Sequence, residues 1–311
     1  MKIITLKDFY LLAVVALIKT NWLFSLKAKS TLVKSLAFIA YRLSKIKRRQ
    51  CEENLALAFS GSLSAARIRT IDKSSFRQIW QETFSIPSPR LRADLPERLE
   101  IHGLEHLQGA MNEGKGAILW ESSYFGRRLL AKQILHQQGY DVHQVHDENH
   151  LGGFGRSRVP TSWIQEHLIR PFFENCELPF VADILYLRDR SSPAFTKLLA
   201  ERLTQNGIIC ISADVRRGHK FISVPFLGHV EYFPTGIVSL AKLTGAALLP
   251  LFCIQECENT ARLIIGSPIA IDADGDREHV LEKTILIYTG LLESYIKEYP
   301  EQYRNWNFAK R

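Results

Sequence analysis

Gly207–Phe252 reads GIICISADVRRGHKFISVPFLGHVEYFPTGIVSLAKLTGAALLPLF. Ile208–Ile211 is an apolar run long enough for a buried strand and too short for a helix. Ser212, Ala213 and Asp214 follow at its carboxyl end, then a basic segment, Val215 to His219, with a glycine hinge. Val224-Pro225-Phe226-Leu227-Gly228 is a second apolar stretch interrupted by chain breakers. Thr235-Gly236 opens a helix carrying Ile237, Leu240, Ala241 and Leu243, and Gly245 closes it. Ala246 to Phe252 is again a buried strand. Strand, loop, helix, strand predicts a parallel α/β sheet, whose ligands gather at the carboxyl ends of its strands. Asp214, Arg216 and Arg217 are placed at such an end.

Upstream, Gly116–Trp120 reads as the first central strand. Glu121-Ser122-Ser123-Tyr124-Phe125-Gly126-Arg127-Arg128 makes the turn into a helix that Gly139 ends. Val142 and Val145 suggest the next strand, with His146 and Asp147 near its carboxyl end. The following segment, Leu151 to Arg158, is glycine-rich and basic but fits neither a dinucleotide nor a P-loop pattern. Asp183–Arg190 reads as a strand leaving into charge, Ser191-Ser192-Pro193 as a helix start, Ala261–Gly266 as a strand, and Val280–Tyr299 as a long helix. His102 and His106 lie four apart without a third ligand, so they read as ordinary helix-surface residues and no metal site is expected.

The 311 residues suffice for a full core, and 46% hydrophobic content is that of a globular chain. The five cysteines are scattered without a CxxC pair, which points to buried thiols in a reducing compartment. The net charge of +8 is concentrated. Residues 1–50 hold eleven Lys/Arg against one acid, Asp8, whereas the remainder holds 29 basic and 31 acidic groups. A locally basic segment suits a membrane surface or an acidic partner and argues against a nucleic-acid-binding face. Phe9–Ile18 is ten apolar residues, too short to cross a bilayer as a helix. Leu32 to Arg49 reads as one basic amphipathic helix with Leu32, Val33, Leu36, Ala40, Leu43 and Ile46 at helical spacing, a pattern suited to an anionic membrane. Glu52 to Trp80 is read as helical, with Ser64 capping its second part.

Several of these segments, in order, resemble the late lipid A acyltransferases, a branch of the lysophospholipid acyltransferase superfamily. The resemblance rests on Asp214, Gly218, Val224–Gly228, Gly236, Thr244-Gly245-Ala246 and Leu249-Pro250. Arg49, Asn54, Leu55 and Phe59, the GLEHL segment Gly103–Leu107, and Pro300-Glu301-Gln302 with Trp306 extend it from about residue 49 to the end of the chain. It implies one mixed, mostly parallel α/β domain over residues 51–311, preceded by a membrane-associating helical segment, residues 1–50. It also implies acyl transfer from an acyl-carrier protein (ACP) or CoA thioester to a hydroxyl or amine of a lipid or glycolipid-like acceptor, at the cytoplasmic face of the inner membrane. No metal or organic cofactor is implied, because a thioester is already activated. Arg156 and Arg158 match family arginines that face an anionic headgroup, and Asp214 and Arg217 join them as substrate-binding candidates.

The resemblance fails at one place. The family carries an H-x4-D/E motif in the strand-to-helix turn, where the His takes the acceptor's proton and the acid orients it. Aligning Gly126 with the motif's glycine puts Tyr124 at the His and Leu129 at the acid, and no other His lies between His106 and His136. Tyrosine, with a pKa near ~10, is a poor base at neutral pH. Three readings stand. Other groups at the turn do the chemistry, with Glu121 as base, Ser122 or Ser123 as relay or nucleophile, and Arg128 pairing with Glu121. Or the chain is a non-catalytic relative that binds lipid or acyl carrier. Or a distant His, such as His146, is brought in.

Overall fold

The structure, a computed structural model, describes residues 4–20, 23–86, 95–147, 162–187, 193–214, 220–257, 259–272 and 275–307. Four helices come first: α1 (Leu6–Lys19), α2 (Leu26–Leu43), α3 (Lys45–Ala58) and α4 (Ala65–Ser85). The single helix expected over Leu32–Arg49 is two. Ser44, at φ −98° and ψ 51°, leaves the helical region and separates α2 from α3, and α3 runs across residue 50. Ser64 caps α4 as read, its Oγ accepting from the Arg67 N–H at 3.2 Å. The α2 face also differs from the reading. On α2, Val33, Ala37 and Tyr41 are buried, whereas its last residue, Leu43, and Ile46 of α3 are 80% and 76% exposed.

Strands and helices then alternate: β1 (Arg98–His102), α5 (Leu104–Asn112), β2 (Ala117–Glu121), α6 (Arg128–Gln137), β3 (Val142–Asp147), α7 (Arg170–Glu177), β4 (Asp183–Leu187), α8 (Pro193–Thr204) and β5 (Ile208–Ser212). A hairpin follows, β6 (Phe221–Phe226) and β7 (His229–Pro234), then α9 (Gly236–Thr244), β8 (Ala247–Cys257), β9 (Thr260–Ile265) and α10 (Arg277–Glu298). Among the described residues seven strands form one sheet in the order β1-β9-β8-β2-β5-β3-β4. Every pairing is parallel except β8 with β9. The α/β, mostly parallel sheet read from Gly207–Phe252 is therefore present, with β5 and β8 flanking β2.

Apart from Glu121 and Ser212 at their carboxyl ends, β2 and β5 are apolar because both faces are covered. All five residues of β2 are buried. Ile118 and Trp120 enter a core with α3, α8, α9 and α10, while Ala117 and Leu119 enter one with α5 and α6. A third apolar cluster joins α1, α2 and α4 to α7 through residues such as Leu11, Ile18, Tyr41, Trp80 and Phe172.

Within Val224–Gly228 the structure makes a turn the sequence reading did not resolve. Leu227 (φ 50°) and Gly228 (φ 76°) form a two-residue connection with both residues in the left-handed region, the geometry that matches strand twist. Leu227 is fully buried, and a Cβ on Gly228 would lie 2.3 Å from the Leu57 carbonyl oxygen. The hairpin tip is thus pressed against the end of α3, which leaves room only for glycine.

Candidate active site

The carboxyl ends of β2, β5 and β3 lie side by side on one edge of the sheet, and the turn Ser122–Arg127 crosses that edge. Asp214, two residues past the end of β5, meets the turn directly. The Ser122 Oγ–H donates to Asp214 Oδ2, and the Ser123 N–H donates to Asp214 Oδ1 at 2.7 Å. Ser122 Oγ in turn accepts the Tyr124 and Phe125 N–H groups, both at 3.1 Å. A hydroxyl has one proton and two lone pairs. Ser122 has used all three, so it serves as the clasp between turn and carboxylate rather than as a nucleophile or relay. The Ser123 hydroxyl makes no hydrogen bond with a described residue, and its side chain is half-buried.

Gly126 explains why the turn needs a glycine. Its φ is +74°, and a Cβ there would sit 2.5 Å from the Cys253 carbonyl oxygen. That same oxygen accepts the Arg127 N–H at 2.8 Å, so the turn is stitched to β8. From the far end of the chain, the Arg304 N–H donates to the Tyr124 carbonyl at 2.8 Å and its Nη2 to the Ser123 carbonyl at 3.1 Å. Arg304 also pairs with Glu82 of α4, and the Tyr303 ring packs edge-on against Tyr124 at 6.4 Å.

Glu121 and Arg128 pair, as the sequence suggested, but not in the arrangement of a catalytic base. Glu121 is 3% exposed. Its Oε1 accepts from Arg128 Nε at 2.8 Å, and Lys132 Nζ reaches Oε1 at 3.2 Å and Oε2 at 2.9 Å. Gln144 Nε2 adds a contact of 3.3 Å. Burial alone would raise the Glu121 pKa, but the charges and hydrogen bonds of Arg128 and Lys132 outweigh it and hold the carboxyl at about 2. A carboxylate so stabilised takes up a proton poorly at neutral pH, so its role here is to anchor two buried cations under the turn.

His146 lies on the same side of the sheet, 5% exposed, with its Nε2 2.7 Å from Glu177 Oε2. Burial would raise Glu177, but His146, then Lys132 and Arg128, hold it at about 2. His146 therefore belongs to a buried charge network with Glu121 and the α6 cations. Lys132 and Glu177 escaped the sequence reading. The signal for Lys132 was its place on the apolar stripe of α6 beside Ala131 and Leu135, where a lysine must find an acid. Glu177 offered no local signal, and Tyr303 and Arg304 lie in the stretch that carries the C-terminal resemblance but gave no sign of reaching the edge from a distant part of the chain.

Arg156, Arg158 and Arg217 lie outside the described residues, in segments that follow β3 and β5 in sequence. A polar cleft of about 520 Å³ opens between α4 and the end of β8, lined by residues including Arg67, Arg77, Gln81, Gln255, Glu256 and Glu301. Its lining suits a hydrated ligand and not a hydrocarbon chain. Four of the five cysteines are buried and Cys257 is exposed. Among the described residues no cluster of three or more His, Cys, Asp or Glu side chains could hold a metal ion.

Comparison with known proteins places this geometry in context. Two mycobacterial proteins named phosphatidylinositol mannoside acyltransferase resemble the chain. The one from Mycolicibacterium smegmatis is 32% identical over 181 residues, 58% of this chain and 53% of the relative. The one from Mycobacterium tuberculosis is 30% identical over 182 residues, 58% and 52% respectively. The chain thus spans about half the length of these curated relatives. The profile of the bacterial lipid A biosynthesis acyltransferases matches residues 2–149 and 186–306. Since that match takes in the turn, Asp214 and the Tyr303–Arg304 brace, the chain belongs to the bacterial lipid A biosynthesis acyltransferase family.

Proposed function

We propose that this protein transfers an acyl chain from an ACP or CoA thioester to a hydroxyl or amine of a glycolipid-like acceptor, with Asp214 as the proton acceptor. The observation that carries the reading is the clasp between Asp214 and the Ser122–Gly126 turn, at the edge where this family works. The Ser122 hydroxyl and the Ser123 N–H hold the two oxygens of the Asp214 carboxylate against the turn. The acceptor O–H passes its proton to Asp214 as its oxygen bonds to the thioester carbonyl carbon, whose π pair moves onto the carbonyl oxygen. Collapse of that intermediate breaks the C–S bond, and the leaving thiolate takes the proton back from Asp214. The products are ester and thiol. Asp214 replaces the base that Tyr124 and Leu129 fail to supply, while Ser123 and Tyr124 line the turn where the acceptor enters. The names of the mycobacterial relatives support a glycolipid acceptor. Arg156, Arg158 and Arg217 would meet its anionic headgroup.

The reading places the protein at the cytoplasmic face of the inner membrane, with residues 1–50 as the contacting segment and residues 51–311 as the transferase domain. No helix among the described residues is long and apolar enough to cross a membrane. Support for surface contact comes from Leu6, Phe9, Phe38, Ile39, Leu43 and Ile46, all exposed, in a segment with eleven Lys/Arg.

The test is incubation with acyl-ACP or acyl-CoA and membrane lipid extract, following thiol release and the acceptor's gain in mass. Asp214→Asn is expected to reduce turnover by at least 100-fold with folding intact by circular dichroism. Activity within threefold of wild type would remove Asp214 from the mechanism. A second reading, a lipid- or carrier-binding relative without turnover, is favoured by the loss of the motif's His and acid. Absence of thiol release with every chain length would establish it.

A further inference from the structure

We infer that the Tyr288 hydroxyl, with the Trp120 indole N–H beside it, is the donor that holds the thioester carbonyl oxygen as it becomes an oxyanion. This rests on the acyl transfer proposed above. Tyr288 of α10 is 0% exposed and Trp120 of β2 is 1% exposed, yet among the described residues neither Tyr288 Oη nor Trp120 Nε1 has a hydrogen-bond partner. Folded proteins leave few buried polar atoms unpaired, and those that remain call for an explanation. The two rings pack at 4.3 Å between centroids and 32° between planes, and Phe252 stacks on Tyr288 from β8 at 6.1 Å. Trp120 lies one residue before the carboxyl end of β2, which leads directly into the Ser122–Arg127 turn. The Asp214 carboxylate is near enough to add to the effect of burial in raising the Tyr288 phenol well above its ordinary value.

An indole N–H can only donate, and a phenol held protonated donates as well. Among the described residues neither donor meets an acceptor within hydrogen-bond distance. A carbonyl oxygen of a substrate whose reacting carbon approaches Asp214 supplies one. Charge does not oppose it: Asp214 becomes neutral on taking the acceptor's proton as the carbonyl oxygen becomes negative.

Tyr288→Phe removes one oxygen and keeps the ring stack. With wild-type protein turning over acyl thioester, Y288F is expected to lower kcat about 100- to 1000-fold with KM changed by less than threefold. Its Tm is expected to hold or rise, since an unpaired buried hydroxyl has gone. A kcat within threefold of wild type would overturn the inference and leave the acyl-transfer reading standing, and a fall in Tm with normal kcat would assign the hydroxyl to a structural water. Wild-type protein inactive on every thioester would remove both. A second measurement stands if Y288F does not fold. Wild-type protein should bind a ketone analogue of acyl-CoA at least tenfold more tightly than the thioether lacking the carbonyl, and equal affinity would overturn the inference.

Discussion

Glu121 shows how a residue with the chemistry of a catalyst can be committed to another task. Its carboxylate holds Arg128 and Lys132 in a site closed to water, and removing it would leave two buried cations without their partner. Glu121→Gln is expected to cost about 3–5 kcal/mol in chemical denaturation. The pH dependence follows from the direction of the shift. Glu121 and Glu177 are held at about 2, below the ordinary glutamate value of 4.5. The folded protein therefore binds fewer protons than the unfolded chain in this interval, and stability falls as pH drops from about 5 toward 2. Thermal melts across that range should show the loss in wild type and a flatter profile in E121Q. At this scale the sequence was informative where a residue's role is local. Asp214 past a buried run, Ser64 before a helix and Gly245 after one were all readable. The Ser122 clasp was not, because it depends on a partner 92 residues away.

Among the elements, the carboxyl-terminal segment has the widest reach. Trp306 is fully buried, its Nε1 donates to the Pro300 carbonyl at 2.6 Å, and its own carbonyl accepts from Asn54 of α3 at 2.7 Å. This anchors the short helical stretch that carries Tyr303 and Arg304 to the turn. Trp306→Ala is expected to destabilise the fold by about 3–5 kcal/mol. Arg304→Ala should change stability less and turnover more, because it frees the Ser123 carbonyl and Glu82 while keeping the backbone bond to the Tyr124 carbonyl and leaving the core filled. Comparing urea midpoints with thiol-release rates for the two variants checks this. The family-like PEQ segment and Trp306 were visible in the sequence as a signature, but their physical task was not. Element boundaries were lost where the chain disobeys its usual signals. Nothing in Leu227 announces a left-handed residue, and the hairpin it makes was hidden for that reason. The break at Ser44 was likewise masked by apolar spacing that continues through it.

For the molecule as a whole, the layering separates two tasks. The sheet with α5, α6 and the α8–α10 layer builds the edge that carries the turn, and the α1, α2, α4 and α7 cluster builds a basic helical layer with apolar side chains left outside. Replacing Phe38 and Ile39, 62% and 52% exposed, with Asp should change the free energy of unfolding by less than about 1 kcal/mol. It should reduce cosedimentation with vesicles containing anionic lipid by at least fivefold. Binding unchanged would separate this layer from the membrane. The charge asymmetry of residues 1–50 made the basic character of this layer legible, but which side chains face outward depends on how α1 and α2 pack on α4, which no window of sequence contains.

The brace from Tyr303 and Arg304 also sets an order of events in biosynthesis. The turn is translated before the midpoint of the chain, yet its carbonyls wait for an arginine some 180 positions later. A nascent polypeptide on the ribosome can thus lay down its central strands early while the Ser122–Gly126 turn stays unbraced until residues 303–306 emerge from the exit tunnel.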